Sequence, residues 1–395
     1  MMAAGTAGDL GADVTLFEKN DKLGKKLAIT GKGRCNVTNN CGNDEFLSNV
    51  PVNSKFLYTA VNNFNTADTI EFFESLGVPL KTERGNRVFP VSDKASDIVN
   101  ALRKYSKCEI ITETVKKLII GDNTVTGLIT DSGERYFDAV IVCTGGKSYP
   151  LTGSTGDGYK FAHQAEIAVT PLRGSLVPIE AEETWCKELQ GLSLKNISVD
   201  ITDTKSGKKI FTDFGEMLFT HFGLSGPVIL SASAHIRDME IGRYKIVIDL
   251  KPAIDEKTLD TRLIADFGKY INKNFANSLN DLLPQKMISV IIGLTGIDPY
   301  KKVNSITQEE RGVLLNLMKN LTLTAKGFRP INEAIITSGG VAVKELDPRT
   351  MRAKKIKGLY FAGEVIDVDA YTGGFNLQIA FSTAVTAARG AVYDD

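Results

Sequence analysis

Apolar positions change their spacing several times along this chain, and each change marks an element. Met1 to Asn20 reads as the back half of a small-residue helix, then a strand, Val14, Thr15, Leu16 and Phe17, ending at Glu18. Residues 56 to 76 place Phe56, Leu57, Ala60, Val61, Phe64, Ile70, Phe72, Phe73 and Leu76 at helical spacing. Residues 94 to 105 repeat that spacing with Ile98, Val99 and Leu102. The period then shortens. Glu109 to Val115 reads as a strand, and Lys117 to Ile120 with Val125 to Thr130 as a hairpin about Gly121-Asp122-Asn123. Phe137 to Cys143 reads as a buried strand ending in Thr144-Gly145-Gly146, and a glycine-rich turn, 153 to 158, precedes a helix over 157 to 166.

After Pro171 the text changes. Short alternating strands are expected at Ile197 to Thr202, Lys208 to Thr212, Met217 to Thr220 and Lys245 to Leu250. Residues 255 to 320 return to helical spacing, with Asp255, Asp281 and Thr307 as expected N-caps. Near the end, Leu359 to Ala362 reads as a buried strand stopped by Gly363 and Glu364. An acidic loop with Asp367 and Asp369 follows. Gly373 and Gly374 then open a helix carrying Leu377, Phe381, Ala384 and Val385.

Two strands thus end in a carboxylate, Glu18 and Glu364, a position from which an acid can accept bonds from sugar hydroxyls. The Gly373-Gly374 turn offers unpaired N–H groups and the positive end of a helix dipole to an anionic or electron-rich ligand. On spacing alone the same segment reads equally well as an ordinary strand-to-helix turn. Between them lies LGKKLAITGKGRCNVTN, broken by Gly24, Gly31 and Gly33 and charged by Lys25, Lys26, Lys32 and Arg34. It reads as a loop wrapped around a cofactor or as a solvated basic loop. Cations beside Cys35 would lower its thiol pKa, but no second Cys or His stands near it in sequence, so no redox role is assigned. Thr144 and Gly145 end a strand in small residues, which lets a cofactor lie against its carboxyl edge. The 153–158 turn lacks the Gly-Lys-Ser/Thr ending of a P-loop. His221, in THFGLSGP, is the candidate general base. A histidine bonded to local backbone in a structural turn is the better supported reading of it.

GEVIDVDAYTGGFNLQIA resembles the C-terminal FAD signature of the BaiN/RdsA-like NAD(P)/FAD-dependent oxidoreductases, also catalogued as aminoacetone-oxidase-family FAD-binding enzymes. EKNDKLGKKLAITGKGRCNVTNN (18 to 40), CTGGKSYPLTGSTGDGY (143 to 159) and GEMLFTHFGLSGPVIL (215 to 230) resemble that family in the same order. The resemblance implies an α/β fold: a Rossmann-like FAD-binding domain from residues 1–176 and 331–395, and an inserted β domain over 177–330 with a small helical cap at about 255–320. It implies cofactor contacts at Glu18, Lys19, Lys26, Thr30, Gly33, Arg34, Cys35, Asn36, Val115, Thr144, Gly145, Gly363, Glu364, Asp367, Gly374, Phe375, Asn376 and Leu377. In the family a first strand and GxGxxG turn precede the helix with which this chain begins. The chain is therefore expected to be a shortened reading frame or an internal start, and to bind FAD poorly, because the diphosphate loses its glycine-turn donors.

Composition narrows the function. Lys plus Arg and Asp plus Glu number 47 each, so no basic excess points to nucleic acid or an anionic membrane. No apolar run approaches the ~20 residues of a membrane span, and the first residues lack a basic-then-apolar pattern, so no signal peptide is expected. Cys35, Cys41, Cys108, Cys143 and Cys186 form no CxxC pair, which fits a reducing cytoplasm. With His163, His221 and His235 scattered, no metal site is expected. The leading expectation is an FAD-dependent oxidoreductase acting on a small organic substrate. It would either reduce an activated double bond with NAD(P)H as transient donor or oxidise a small amine. The alternatives are a flavin-bearing binding or RNA-associated protein and an inactive remnant.

Overall fold

The structure, a computed structural model, describes residues 1–393. Two compact units divide the chain: residues 1–175 with 330–395, and residues 176–329.

In the first unit, strands Thr15–Phe17 and Glu109–Ile111 pair in parallel, as do Val140–Val142 and Leu359–Phe361. Two antiparallel sheets flank them: Lys117–Gly121, Thr124–Thr130 and Gly133–Tyr136; and Thr38–Asn39, Arg87–Pro90 and Leu80–Glu83. The closing helix, Phe375–Tyr393, is buried along most of its length. Ala384, Val385, Ala387 and Ala388 belong to the same core as Ala3, Val61, Phe73 and Phe361. Small side chains on this helix admit neighbours closely. A Cβ on Gly390 would collide with the Thr350 backbone.

Several elements are shorter than their apolar spacing implies, each for a local reason. The helical run over 56 to 76 breaks into Tyr58–Asn63 and Thr66–Ser75. Asn65 stops the first and caps the second: its side chain accepts from the Ala67 and Asp68 amides, and Asp68 accepts from the Asn65 amide at 2.7 Å. The strand expected to reach Val115 ends at Ile111, where the Glu113 amide turns back to the Ile111 carbonyl, so Val115 lies in a connecting loop.

In the second unit, six strands close an antiparallel barrel in the order Ile179–Ala181, Gly223–Ser225, Lys208–Phe219, Ser193–Asp203, Tyr244–Asp249 and Leu321–Phe328. Closure leaves no open sheet edge. The two strands expected at 208 to 212 and 217 to 220 are one continuous strand. At Gly215 a Cβ would press on Val228, so the missing side chain lets the strand pass that residue closely. Helices Glu256–Lys269, Gln285–Thr295 and Gln308–Lys319 also belong to this unit. Asp255 and Thr307 cap two of them through the Thr258 and Glu310 amides. Asp281 does not cap the third, which starts after Pro284. Its carboxylate instead accepts from the Tyr270 hydroxyl at 2.7 Å.

Candidate cofactor site

Four segments of the first unit converge around the two acid-ended strands. At the end of Thr15–Phe17, Glu18 accepts bonds from the Asn20 backbone amide (2.9 Å) and side-chain amide (2.7 Å). Lys19 reaches across to Asp157 (2.6 Å) and Thr155 (2.5 Å), and Asn20 donates to the Thr152 carbonyl. Residues 18–20 are thereby tied to the glycine turn at 153–157. Burial alone would raise the Asp157 pKa. Bonds from Lys160, Lys19 and Thr155 outweigh it and hold the carboxyl at about 2.

The second acid, Glu364, is half-buried at the end of Leu359–Phe361. Lys26 donates to it at 2.8 Å, Ser148 Oγ at 3.1 Å and the Thr337 amide at 2.8 Å. Lys26 also donates to Ser148 Oγ at 2.6 Å. One carboxylate therefore joins four segments distant in sequence. Asp367, three residues on, is half-buried and its carboxylate has no hydrogen bond or ion pair among the described residues. Nothing in the sequence marks Ser148 or Thr337 as a partner of Glu364. Small hydroxyl residues carry no spacing signal, and only the fold brings them to Glu364.

The basic loop is more committed than its charge suggests. Arg34 pairs with Glu83 and Asp93 (2.6 Å) and stacks its guanidinium 4.1 Å over Phe89. Together with Lys26 on Glu364 and Lys19 on Asp157, each of these cations already has a carboxylate. Thr30 donates to the Leu27 carbonyl. Gly31, Lys32 and Gly33 all have positive φ, and nothing lies within 4 Å of where a Gly33 Cβ would stand. Cys35 follows at φ 60 and is fully buried. Burial pushes its thiol up to about 12, against a weaker opposing bond from Thr30. It is inert at neutral pH.

At the closing helix the expected contacts are largely occupied. Gly374, φ 99, sits where a Cβ would collide with the Thr38 backbone. Phe375 turns inward against Phe46, with ring centroids 5.7 Å apart. The Asn376 side chain closes its own loop, donating to the Ala370 and Tyr371 carbonyls and accepting from the Ala370 amide. Leu377 is half-buried, and the Gly363 amide donates to Thr383 Oγ1. In the other unit, His221 is exposed. Its ring touches Phe222, and its side chain makes no hydrogen bond among the described residues. The turn around it is held by Thr220 and Gly223 instead.

The residues present fit FAD. Asn36 Oδ1 and Thr144 Oγ1, in the two expected flavin-facing stretches, are buried oxygens without a partner among the described residues, a costly state unless a ligand completes it. Cys143, beside Thr144, is exposed at the end of Val140–Val142. Gly145 and Gly363 both have positive φ, which leaves backbone rather than side chain facing outward.

The family model described as "HI0933-like protein Rossmann domain" matches residues 1–390. The chain is 30% identical to the ribosomal RNA dihydrouridine synthase of Escherichia coli K12, over 99% of this chain and 95% of that protein. It is 28% identical to the 3-dehydro-bile acid delta(4,6)-reductase of Clostridium scindens, over 98% and 94%. In fold it is similar to the crystal structure of 3-ketosteroid delta1-dehydrogenase from Sterolibacterium denitrificans. There the TM-score is 0.51 at 13% identity, covering 100% of this chain and 97% of that one. No described helix is long and apolar enough to cross a membrane.

Proposed function

The chain belongs to the HI0933-like Rossmann-domain family, and from that premise we propose that it is a flavin-dependent reductase of carbon–carbon double bonds conjugated to a carbonyl. One observation carries the reading. Two relatives that align over nearly their whole length have names describing the same chemical change. Dihydrouridine is uridine with hydrogen added across a ring double bond conjugated to a carbonyl, and a delta(4,6)-reductase of a 3-dehydro steroid acts on a ring enone. Amine oxidation, the other reaction type open from the sequence, has no such support.

When bound, FAD supplies the hydride exchange. The chain's residues hold and orient it. In this reading Glu18 accepts from the adenosine ribose, Thr144 and Asn36 complete their bonding on the flavin side, and Lys26, Ser148 and Thr337 fix Glu364 for the sugar-alcohol chain. Asp367 offers a free carboxylate beside it. The electron donor is NAD(P)H, docking transiently. The cytoplasm suits the five free cysteines.

The balanced charge of the chain favours a small organic substrate. A second reading, favoured by the dihydrouridine synthase relative, is that uridine in ribosomal RNA is reduced. Anaerobic protein loaded with FAD should lose its visible flavin absorbance on adding NADH or NADPH, and regain it with a steroid dienone or with unmodified ribosomal RNA. Mass spectrometry of the product identifies which. Bleaching of the oxidised flavin by an amine but by neither NADH nor NADPH, with recovery only on adding oxygen, would overturn the reductase reading.

A further inference from the structure

Apart from the residues around Glu364, the first unit carries a half-open groove of about 390 Å³, large enough for one mononucleotide. Its walls divide by chemistry. Val169, Pro171 and Leu172 give a partly exposed apolar face, while Lys147 and His163 supply polar atoms; the Thr170 hydroxyl beside them is already bonded to the Gly340 backbone. Lys147 and His163 are exposed and make no side-chain hydrogen bond or ion pair among the described residues. Asp157, at the start of the helix that carries His163, is already taken by Lys19 and Lys160. The Lys147 stem lies over Gly156, where a Cβ would come within 3.0 Å of it. The absence of a side chain at Gly156 thus leaves the ammonium its place at the groove.

An apolar face beside unpaired cationic and imidazole donors matches a flat base carrying phosphate. We propose that this groove docks the adenosine-phosphate half of the nicotinamide dinucleotide that reduces the flavin. The proposal rests on NAD(P)H being the donor. It gives that donor a site although the sequence holds no second dinucleotide fingerprint. Lys147 binds the phosphate as a point charge, and Pro171 and Leu172 cover the ring.

The test uses the full chain loaded with FAD. Flavin reduction is followed by anaerobic stopped flow over a series of NADH and NADPH concentrations. ADP is separately titrated onto the oxidised protein and read by calorimetry. Lys147→Glu should raise the apparent Kd for the dinucleotide at least about tenfold, the effect of losing one charge-assisted contact, and weaken ADP in parallel. The limiting reduction rate should stay within about twofold, since Lys147 would touch only the remote half of the donor. Leu172→Asp should weaken both ligands as well. Equal melting temperatures show that the variants are folded. Unchanged Kd values for dinucleotide and ADP in both variants would overturn the groove. If dithionite reduces the flavin but neither dinucleotide does, the donor reading fails, and the groove proposal with it.

Discussion

Cys35 stands in the middle of a cation-rich stretch yet is the least reactive kind of thiol, because burial outweighs the nearby charge. Native protein treated with iodoacetamide should leave Cys35 unlabelled until the chain unfolds, and should label Cys143, which is exposed but whose thiol pKa is raised by desolvation, at a rate that climbs as the pH is taken above 8. Peptide mass spectrometry reads this directly, and early modification of Cys35 would contradict its burial. Asp157 makes a complementary prediction. Its folded pKa, about 2, lies below its ordinary 3.8. The stability it contributes is therefore present above pH 3.8 and is lost as the pH falls towards 2. Asp157→Asn should lower the urea midpoint at pH 6. The gap to the native chain should narrow between about pH 4 and pH 2.

At the scale of elements, the start of the closing helix is fastened to the short strand Thr38–Asn39. Thr38 Oγ1 donates to Gln378 Oε1 at 2.6 Å, both groups being buried, and Asn39 donates to the Gly373 carbonyl at 3.1 Å. Gly374 lets the two backbones meet, through both its positive φ and its missing side chain. Gly374→Ala would face strain from the φ and a clash with backbone that cannot rotate away. A loss of roughly 1–3 kcal/mol is expected, visible as a lower melting temperature. FAD should raise that temperature less than it does in the native chain, because the helix start would be displaced. An alanine variant with native melting behaviour would show that the contact is slack.

At the scale of the molecule, the barrel unit has its own apolar core, including Ile179, Val199, Ile201, Phe219, Ile246, Leu263, Ile291 and Leu323. Its sheet closes on itself. A unit with a private core and no bare edge has what it needs to fold alone. A fragment of residues 176–329 is expected to show a single cooperative urea transition by circular dichroism. A gradual, non-cooperative transition would mean that the core depends on the rest of the chain.

Periodicity alone determined most elements: the strand before Glu18, the hairpin after 117, the strand and long helix of the closing segment, and the Asp255 and Thr307 caps. Those features depend on residues three or four positions apart, or alternating along one strand, so a linear reading reaches them. It failed where a distant contact decided the outcome. The Lys208–Phe219 strand runs unbroken, passing Val228 closely at Gly215, and Asp281 turns from a cap to a tyrosine partner. The chemistry divides in the same way. Glu18 and Glu364 are recognisable as acids ending strands. That Glu364 is held by Lys26, Ser148 and Thr337, and that Arg34 is spent on Glu83 and Asp93, was decided only by the tertiary structure. A charge in sequence has no partner until folding brings one within about 3 Å, and those partners lie between 27 and 338 residues away.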